Sequence, residues 1–300
     1  MHITLRQLQI FTAVAVSGST AAAAHSIALS QSATSAALKE LESILKVELF
    51  DRAGKRLILN DSGRLLLPQA RQMLDAARTI EQQFVDTDHP CAGLYIGAST
   101  TIGIYLLPRL LSLPSTHSTQ GNPTIKIANS AAIATAVAHF TVDLGLIEGP
   151  CHEPDVITEP WLEDELVIVC APNHPILQGQ PQHKVTLDDL QNAQWLLREA
   201  GSGTQEAVEQ VLLPHLYQLR QAMQLSNSEA IKHATAAGLG LACLSRMIVA
   251  RQLASGELIE VKTPLPRLSR RLFLIYHRNK TLSPQLNRFL QHCRAITPNN

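Results

Sequence analysis

The feature that most constrains the fold is a series of three helical patterns in the first 45 residues, joined by very short turns. In the first pattern Leu5, Leu8 and Phe11 recur at helical spacing, and Gly18 ends it. The second, TAAAAHSIA, consists of small residues, which let two helices cross closely. A tight turn at Leu29–Ser30 leads into the third. We therefore predict a helix-turn-helix.

The third pattern, QSATSAALKELESIL, predicts an amphipathic helix with a polar start. Ser30 or Ser32 can cap it, because a serine hydroxyl accepts a free backbone N–H. Short hydroxyl side chains also bond to base edges and phosphates in the major groove of DNA. The alternative is an ordinary amphipathic helix with a serine cap. The apolar face consists of Thr34, Ala37, Leu38, Leu41, Ile44 and Leu45.

Downstream, VELFDRAGKRLILNDSG is typical of strand, turn and strand, with Ala53–Gly54 at the tip. Arg52, Lys55 and Arg56 flank the tip. Three cations on a hairpin next to a helix-turn-helix suit a wing against phosphates. The alternative is a solvated turn.

Composition sets the outer limits. A length of 300 residues suits two or three domains, and the net charge of zero argues against a uniformly basic protein. Residues 1–90 hold nine basic and nine acidic side chains, so any contact with nucleic acid depends on local placement. No apolar run reaches the ~18–20 residues of a membrane span, and no signal-peptide pattern starts the chain. We therefore expect a cytoplasmic protein without membrane contact.

Five separated cysteines without a CxxC and twelve scattered histidines favour neither a disulfide framework nor a metal site. We expect no metal and no cofactor.

A long helical pattern, DSGRLLLPQARQMLDAARTIEQQF, follows the hairpin and can be capped by Asn60. Its single apolar stripe predicts pairing with another helix, as in a dimer. The alternative is that the stripe packs on its own domain. Pro68 should kink or loosen the first turns. The stripe consists of Leu66, Ala70, Met73, Ala77, Ile80 and Phe84.

The segment VDTDHPCAG, at 85–93, breaks the helical pattern and is typical of a hinge. Beyond it strand and helix patterns alternate, which predicts an α/β region built around parallel sheets. Its 200 residues suit two subdomains with a cleft between them. The strand candidates are GLYIGAS, TIKIAN, VDLGLIEG, ELVIVCAP, QWLLREAG, AMQLSNS, GLGLACLS and RRLFLIYH.

Four candidate strand ends are rich in small polar residues, at 97–101, 128–130, 198–204 and 226–228. Ligands of open α/β sheets bind at the carboxyl ends of strands. A polar turn before a helix offers N–H groups, hydroxyls and the positive end of a helix dipole to an anion. Arg198 adds a full charge. The alternative for each turn is an ordinary helix cap.

Two other protein classes could use such a cleft. An enzyme could use Cys151 and His152 as a thiol and base, but adjacent residues rarely point at each other. The chain contains no GxSxG, HExxH or P-loop pattern, and we expect no enzyme. A solute-binding transport component would need a signal peptide and would not need residues 1–90.

The segments FTAVAVSGSTAAAA and LSQSATSAALKELESILKVELFDRAGKRLILNDSG resemble the N-terminal domain of LysR-type transcriptional regulators. The likeness extends over nearly the whole chain. It implies a winged helix-turn-helix at 1–60, a linker and dimerisation helix at 61–88, and a periplasmic-binding-protein-like α/β effector domain at 92–300. Subdomain I would span 92–162 and 268–300, and subdomain II 163–267.

The resemblance also implies the functional residues. Thr34 departs from it, since an aliphatic residue is usual there, and Ala22 and Ala36 replace basic residues. The implied DNA contacts are Ser30, Gln31, Ser32, Thr34, Ser35 and Lys39 on the helix and Arg52, Lys55 and Arg56 on the wing. The implied effector contacts are Ser99, Thr100, Thr101, Asn129, Ser130, Arg198, Ser202, Gly203, Thr204, Ser226 and Asn227.

A member of this family would bind an interrupted inverted repeat in double-stranded DNA as a dimer or homotetramer. Its effector would be a small anion, either a carboxylate metabolite or an inorganic oxyanion, and RNA polymerase would be a further partner. Effector and DNA would influence each other's binding reciprocally.

Overall fold

The computed structural model describes residues 3–54, 56–83, 93–112, 122–177 and 185–296. By its internal contacts the chain divides into two compact units. Unit 1 comprises Met1–Asp86 and Asn279–Ser283, and unit 2 comprises Thr87–Arg278 and Pro284–Asn300. The predicted hinge falls almost entirely outside the described residues.

Unit 1 contains the three predicted helices, a hairpin and a long helix. These are α1 (Leu5–Ser17), α2 (Thr20–Ser26), α3 (Gln31–Leu45), β1 (Phe50–Ala53), β2 (Arg56–Leu59) and α4 (Asp61–Gln83).

The ends of α1 follow from its sequence. Thr4 forms a capping box with Gln7, and Gly18 ends the helix with a φ of 64°, which favours glycine. The Gly18 carbonyl then accepts the Leu57 amide at 2.8 Å, which ties β2 to the end of α1. Phe11 and Phe50 meet in the core with ring centroids 5.6 Å apart. The hairpin is therefore fixed against the helices.

The long helix α4 begins as predicted, since the Asn60 side-chain oxygen accepts the Gly63 amide at 2.9 Å. The helix continues through Pro68 without a break. Its predicted stripe is divided, however. Leu66 and Ala70 pack into the core of unit 1, whereas the side chains of Met73 and Ile80 are exposed. The start of the stripe thus packs on its own domain, and Phe84 lies outside the described residues.

Unit 2 alternates strands and helices. Each of the eight predicted strand segments contains part of a strand. The strands are β3 (Tyr95–Ser99), β4 (Thr124–Ala128), β5 (Leu144–Glu148), β6 (Val156–Cys170), β7 (Gln194–Arg198), β8 (Arg220–Leu225), β9 (Ala242–Ser245), β10 (Ile259–Glu260) and β11 (Leu268–His277). The helices are α5 (Leu107–Leu111), α6 (Ser130–Ala138), α7 (Leu187–Asn192), α8 (Gly203–Leu216), α9 (Ser228–Ala236), α10 (Arg246–Ser255) and α11 (Pro284–Ala295), with a π-helical turn at Ile102–Leu106 and a 3-10 turn at Pro175–Leu177.

The main sheet has the order β10-β6-β11-β5-β3-β4, with β9 also paired to β6, and β7 pairs with β8 separately. The expectation of parallel sheets is correct for β3, β4 and β5 and for β7 with β8. It is wrong for β6 and β11, which pair antiparallel. These two strands carry the chain out of one half of unit 2 and back again, so they run in opposite directions.

Unit 2 has two lobes with separate hydrophobic cores. The first lobe contains β3–β5, α5, α6 and α11, and the second contains α7–α10 and β7–β9. Leu162 of β6 packs in the first core and Leu166 in the second. On β11, Leu272 packs in the first core and Leu268 in the second. The subdomain boundaries at 162–163 and 267–268 stay a prediction.

Candidate functional site

Unit 1 has a groove between α3 and the hairpin, and several predicted DNA contacts line it. Gln31, Ser35 and Lys39 come from α3, and Arg52 and Arg56 come from the hairpin. Gln31 and Lys39 are exposed and Ser35 is half-buried. The fold therefore brings predicted helix and wing residues to one surface. Lys55 lies outside the described residues.

The start of α3 is held by its serines. The Ser30 hydroxyl accepts the Ala33 amide at 3.2 Å, so Ser30 is the N-cap. The hydroxyls of Ser30 and Ser32 are 3.0 Å apart, and both residues are exposed. Ser32 therefore remains accessible to an incoming base edge or phosphate.

Thr34 corrects the predicted DNA contacts. Its side chain is fully buried, and its hydroxyl donates to the Ser30 carbonyl at 3.0 Å. The helical period already places Thr34 on the apolar face, so its side chain points into unit 1 and not towards the groove. The predicted DNA contact at Thr34 is wrong.

The groove also contains acidic side chains, which the sequence analysis did not single out. Glu42, Glu48 and Asp51 line it together with the three described cations. The Glu42 carboxylate accepts the Leu49 amide at 2.9 Å and so fixes the start of the hairpin. Acidic and basic side chains thus balance among the described groove residues. Attraction to phosphate depends on the positions of the charges, not on their sum.

In unit 2 the predicted effector residues converge on Glu148, a carboxylate of the chain itself. Ser99 donates its hydroxyl to Glu148 at 2.9 Å, and the Thr101 amide donates at 3.0 Å. From the second lobe, Thr204 donates its hydroxyl at 2.6 Å. The guanidinium of Arg270 is a further donor to the Glu148 carboxylate, at 2.7 Å. The predicted anion donors therefore hold an internal anion.

Arg270 connects this carboxylate to a second one. Its Nε donates to Asp164 at 2.7 Å, and all three charged side chains are 2% exposed. Ser245 donates to the other oxygen of Asp164 at 2.7 Å. We call Glu148, Asp164 and Arg270 the charged cluster. It contains two acids and one base, buried where β6 and β11 pass between the lobes.

The two carboxyls of the charged cluster respond differently to burial. Burial alone would raise the pKa of Glu148, but the charge of Arg270 and the hydrogen bonds from Thr204, Thr101 and Ser99 lower it to about 2. Burial raises the pKa of Asp164 and outweighs the opposing charge of Arg270. The same burial would lower the pKa of Arg270, but its two carboxylate partners raise it. Sequence analysis missed these residues. Glu148 ends the apolar strand LGLIE and could have been noticed as a charge there, but Asp164 lies among three consecutive acids and Arg270 next to Arg271, so neither stands out in the sequence.

The two lobes touch next to the charged cluster. A Cβ added to Gly203 would lie 1.7 Å from the Glu148 carbonyl oxygen, so only glycine fits there. The Ala131 amide, at the start of α6, donates to the Gly201 carbonyl of the second lobe at 3.0 Å. The cleft is therefore closed at this point.

Other predicted effector residues are already engaged. Arg198 is buried and pairs with its neighbour Glu199 at 2.8 Å and with the Ser228 hydroxyl at 2.8 Å. Asn129 and Asn227 cap α6 and α9, as the alternative interpretation expected. The Ser130 hydroxyl donates to the Glu148 carbonyl, and Thr100 is half-buried near the Ala128 carbonyl. Ser202 and Gly203 are buried at the start of α8, whereas Ser226 is exposed.

The thiol and base of the enzyme alternative do not interact in the described geometry. His152 bonds through Nε2 to Glu206 at 3.0 Å. Burial raises the pKa of the Cys151 thiol, which disfavours the thiolate that a nucleophile needs. Across the described ranges, no group of three or more His, Cys, Asp and Glu side chains could hold a metal ion. None of the helices in those ranges has the length and apolar character to cross a membrane.

Comparisons with known proteins match both units. The family described as "Bacterial regulatory helix-turn-helix protein, lysR family" matches residues 5–64, and "LysR substrate binding domain" matches residues 87–297. The uncharacterized HTH-type transcriptional regulator YeiE of Escherichia coli K12 is 51% identical over 293 residues, covering 98% of both chains.

Two solved structures share the fold. A full-length OxyR from Pseudomonas aeruginosa has a TM-score of 0.72 at 23% identity, covering 98% of this chain and 96% of that one. A full-length CbnR complexed with its target DNA has a TM-score of 0.60 at 22% identity, covering 97% of this chain and 99% of that one.

A winged helix-turn-helix together with a two-lobed α/β domain, matched by the two family models, defines a DNA-binding transcriptional regulator that responds to an effector. The chain belongs to the LysR family of transcriptional regulators.

Proposed function

We propose that the protein binds an interrupted inverted repeat in duplex DNA, with α3 in the major groove and the hairpin against the flanking phosphates. The accessible start of α3, next to Arg52 and Arg56 in one groove, carries this proposal. Ser32, Ser35 and Gln31 would contact base edges, and the hairpin arginines would fix the register. Thr34 has no part in the contact.

The interrupted repeat requires two copies of α3, and the linker helix α4 offers a surface for pairing them. Leu65, Met73 and Ile80 are its large exposed apolar side chains, at 71%, 55% and 58%. Their spacing of eight and seven residues lies close to the heptad of paired helices. Dimers would pair again through unit 2 to give a tetramer, and RNA polymerase would be the further partner. The protein would act in the cytoplasm.

The proposed effector is a small anion, bound between the lobes of unit 2. Ser99, Thr101 and Thr204 already hold the Glu148 carboxylate at hydrogen-bond distance, so these donors have the spacing that an oxyanion needs. An added anion would compete with Glu148 for them. Because the donors come from both lobes, competition at this point would change how closely the lobes approach.

Fluorescence anisotropy with the purified full chain tests the DNA-binding part. Duplexes from its own upstream intergenic region are titrated at two salt concentrations, against scrambled duplexes of equal length. We expect sequence-selective binding that weakens with salt. Equal affinity for all duplexes would contradict it.

The same assay tests the effector part. Small carboxylates and inorganic oxyanions are added to the complex of protein and operator, with Thr100→Val as the variant. We expect one class of anion to shift the operator affinity of the wild type, and the variant to respond less while binding DNA normally without anion. No shift of operator affinity by any anion would contradict the effector part, and an unchanged response of the variant would exclude Thr100 from the site.

A further inference from the structure

A tyrosine of the first lobe reaches across to charged side chains of the second lobe. Tyr105 lies in the π-helical turn Ile102–Leu106 that follows β3. Its hydroxyl donates to Glu229 on α9, and Lys232 of the same helix donates back to it at 3.1 Å. Lys232 and Glu229 are themselves 2.6 Å apart. We call these three residues the tyrosine latch.

The ring of Tyr105 adds an apolar contact to these polar ones. It packs against the second lobe's hydrophobic cluster that includes Ile231 and Ile248. The Lys232 ammonium lies 5.9 Å from the ring centroid, within the range of a cation–π contact. Lys232 is buried to more than nine-tenths, so its charge depends on these partners. Separating the lobes would leave that charge without its tyrosine partner.

The latch adjoins the predicted effector residues on both sides. Tyr105 follows Thr100 and Thr101 after one turn, and Glu229 follows the predicted contacts Ser226 and Asn227. Ser228, directly before Glu229, accepts from Arg198. A ligand that displaces the turn after β3 would therefore also displace Tyr105. A ligand that displaces the start of α9 would also displace Glu229.

We propose that the tyrosine latch holds the two lobes together and so sets the equilibrium between closed and open forms of the cleft. Unlike the continuous strands β6 and β11, the latch side chains can separate and be solvated, and they add to the contacts between the lobes at Thr204–Glu148 and Ala131–Gly201. Tyr105 is thus a positioning residue, which acts on the cleft through closure and not by contact with the effector.

The Ala131 amide reports lobe separation directly. It lies in the first turn of α6, where helix amides have no partner within the helix, and its bond is to Gly201 of the other lobe. The next amide, of Ala132, bonds to Asn129 within the first lobe. Opening of the cleft frees Ala131 and leaves Ala132 protected, so the two neighbouring amides form an internal pair of probe and control.

Hydrogen exchange resolved to single residues, on the full chain without DNA or effector, tests the latch. Tyr105→Phe removes only the hydroxyl and keeps the ring. We expect Ala131 to exchange about tenfold faster, the effect of losing one hydrogen bond to charged groups, while Ala132 keeps its rate. Lys232→Met, which keeps the aliphatic stem, should act in the same direction.

Tyr217→Phe is the matched control, because that side chain is 83% exposed on the second lobe. It should change neither amide. Unchanged exchange of Ala131 in Tyr105→Phe would overturn the proposal, as would equal acceleration of Ala131 and Ala132. Since the experiment needs no ligand, its failure is distinct from a failure of the proposed DNA or anion binding.

Discussion

The Glu148 carboxylate and the Arg270 guanidinium are 2.7 Å apart, and each side chain is only 2% exposed. Arg270 also holds Asp164 at the same distance, so one cation serves two buried carboxyls. Taking ions out of water costs several kcal/mol each, and the cluster is stable only while its members remain paired.

Removal of the shared cation should therefore destabilise unit 2. We expect Arg270→Met to lower the free energy of unfolding by about 3–5 kcal/mol, because it leaves two buried carboxyls without their partner. Urea unfolding measures this loss in the free energy of unfolding. Arg294→Met is the control, since Arg294 pairs with Glu159 at the surface and its loss should cost less than about 1 kcal/mol. Equal losses for the two variants would contradict the role given to burial.

The same cluster predicts an acid-sensitive contribution to stability. The folded pKa of Glu148, about 2, lies below its ordinary value of 4.5, so the contribution is full above about pH 4.5 and is lost as the pH falls towards 2. It amounts to about 3 kcal/mol. The raised pKa of Asp164 acts in the opposite direction, since protonation relieves its burial.

The variant Glu148→Gln distinguishes the contribution of Glu148 to stability from that of Asp164. The difference in unfolding free energy between wild type and variant should shrink as the pH falls from 5 to about 2. Chemical unfolding at several pH values measures it. A difference that stays constant over this range would mean that Glu148 is not held as the carboxylate.

Acidic side chains at the start of α3 should abolish operator binding. The double variant with Ser32→Glu and Ser35→Glu places two negative charges where α3 would meet phosphates and bases, and we expect at least a hundredfold loss of operator affinity with the oligomer unchanged. Ser43→Glu, an exposed position on α3 that does not line the groove, is the control. Retained operator affinity in the double variant would exclude this surface.

Thr34→Val tests the corrected position. Because the Thr34 hydroxyl bonds inside α3, we expect a loss of about 1 kcal/mol in stability and no change in sequence preference. Thermal unfolding and anisotropy on operator variants measure both. A changed base preference would mean that Thr34 does contact the DNA.

Gly203→Ala should force the lobes apart, since its Cβ would meet the Glu148 backbone. We expect faster exchange at the Ala131 amide and a lower melting temperature. Gly256→Ala is the control, because its Cβ would meet no atom within 4 Å and Gly256 lies at the end of α10. Equal exchange at the Ala131 amide in the two variants would show that the contact at Gly203 yields easily.

The sequence by itself determined the local structure. Helical spacing, with Gly18 and Ser30 at the turns, defined α1 to α3. Apolar runs marked every strand of unit 2 except the two-residue strand β10. Asn60, Asn129 and Asn227 act as caps because an Asx side chain satisfies free amides next to it in the chain. Such interactions span only a few residues and can be inferred from sequence alone.

Only the tertiary structure decided what these residues contact. Ser99, Thr101 and Thr204 look like donors for a ligand, yet they bond to Glu148, which lies 47 to 56 residues away along the chain. The partners of Arg270 and Tyr105 are more distant still. Which carboxylate fills a set of donors depends on how the strands cross between the lobes, and that crossing is a property of the whole fold.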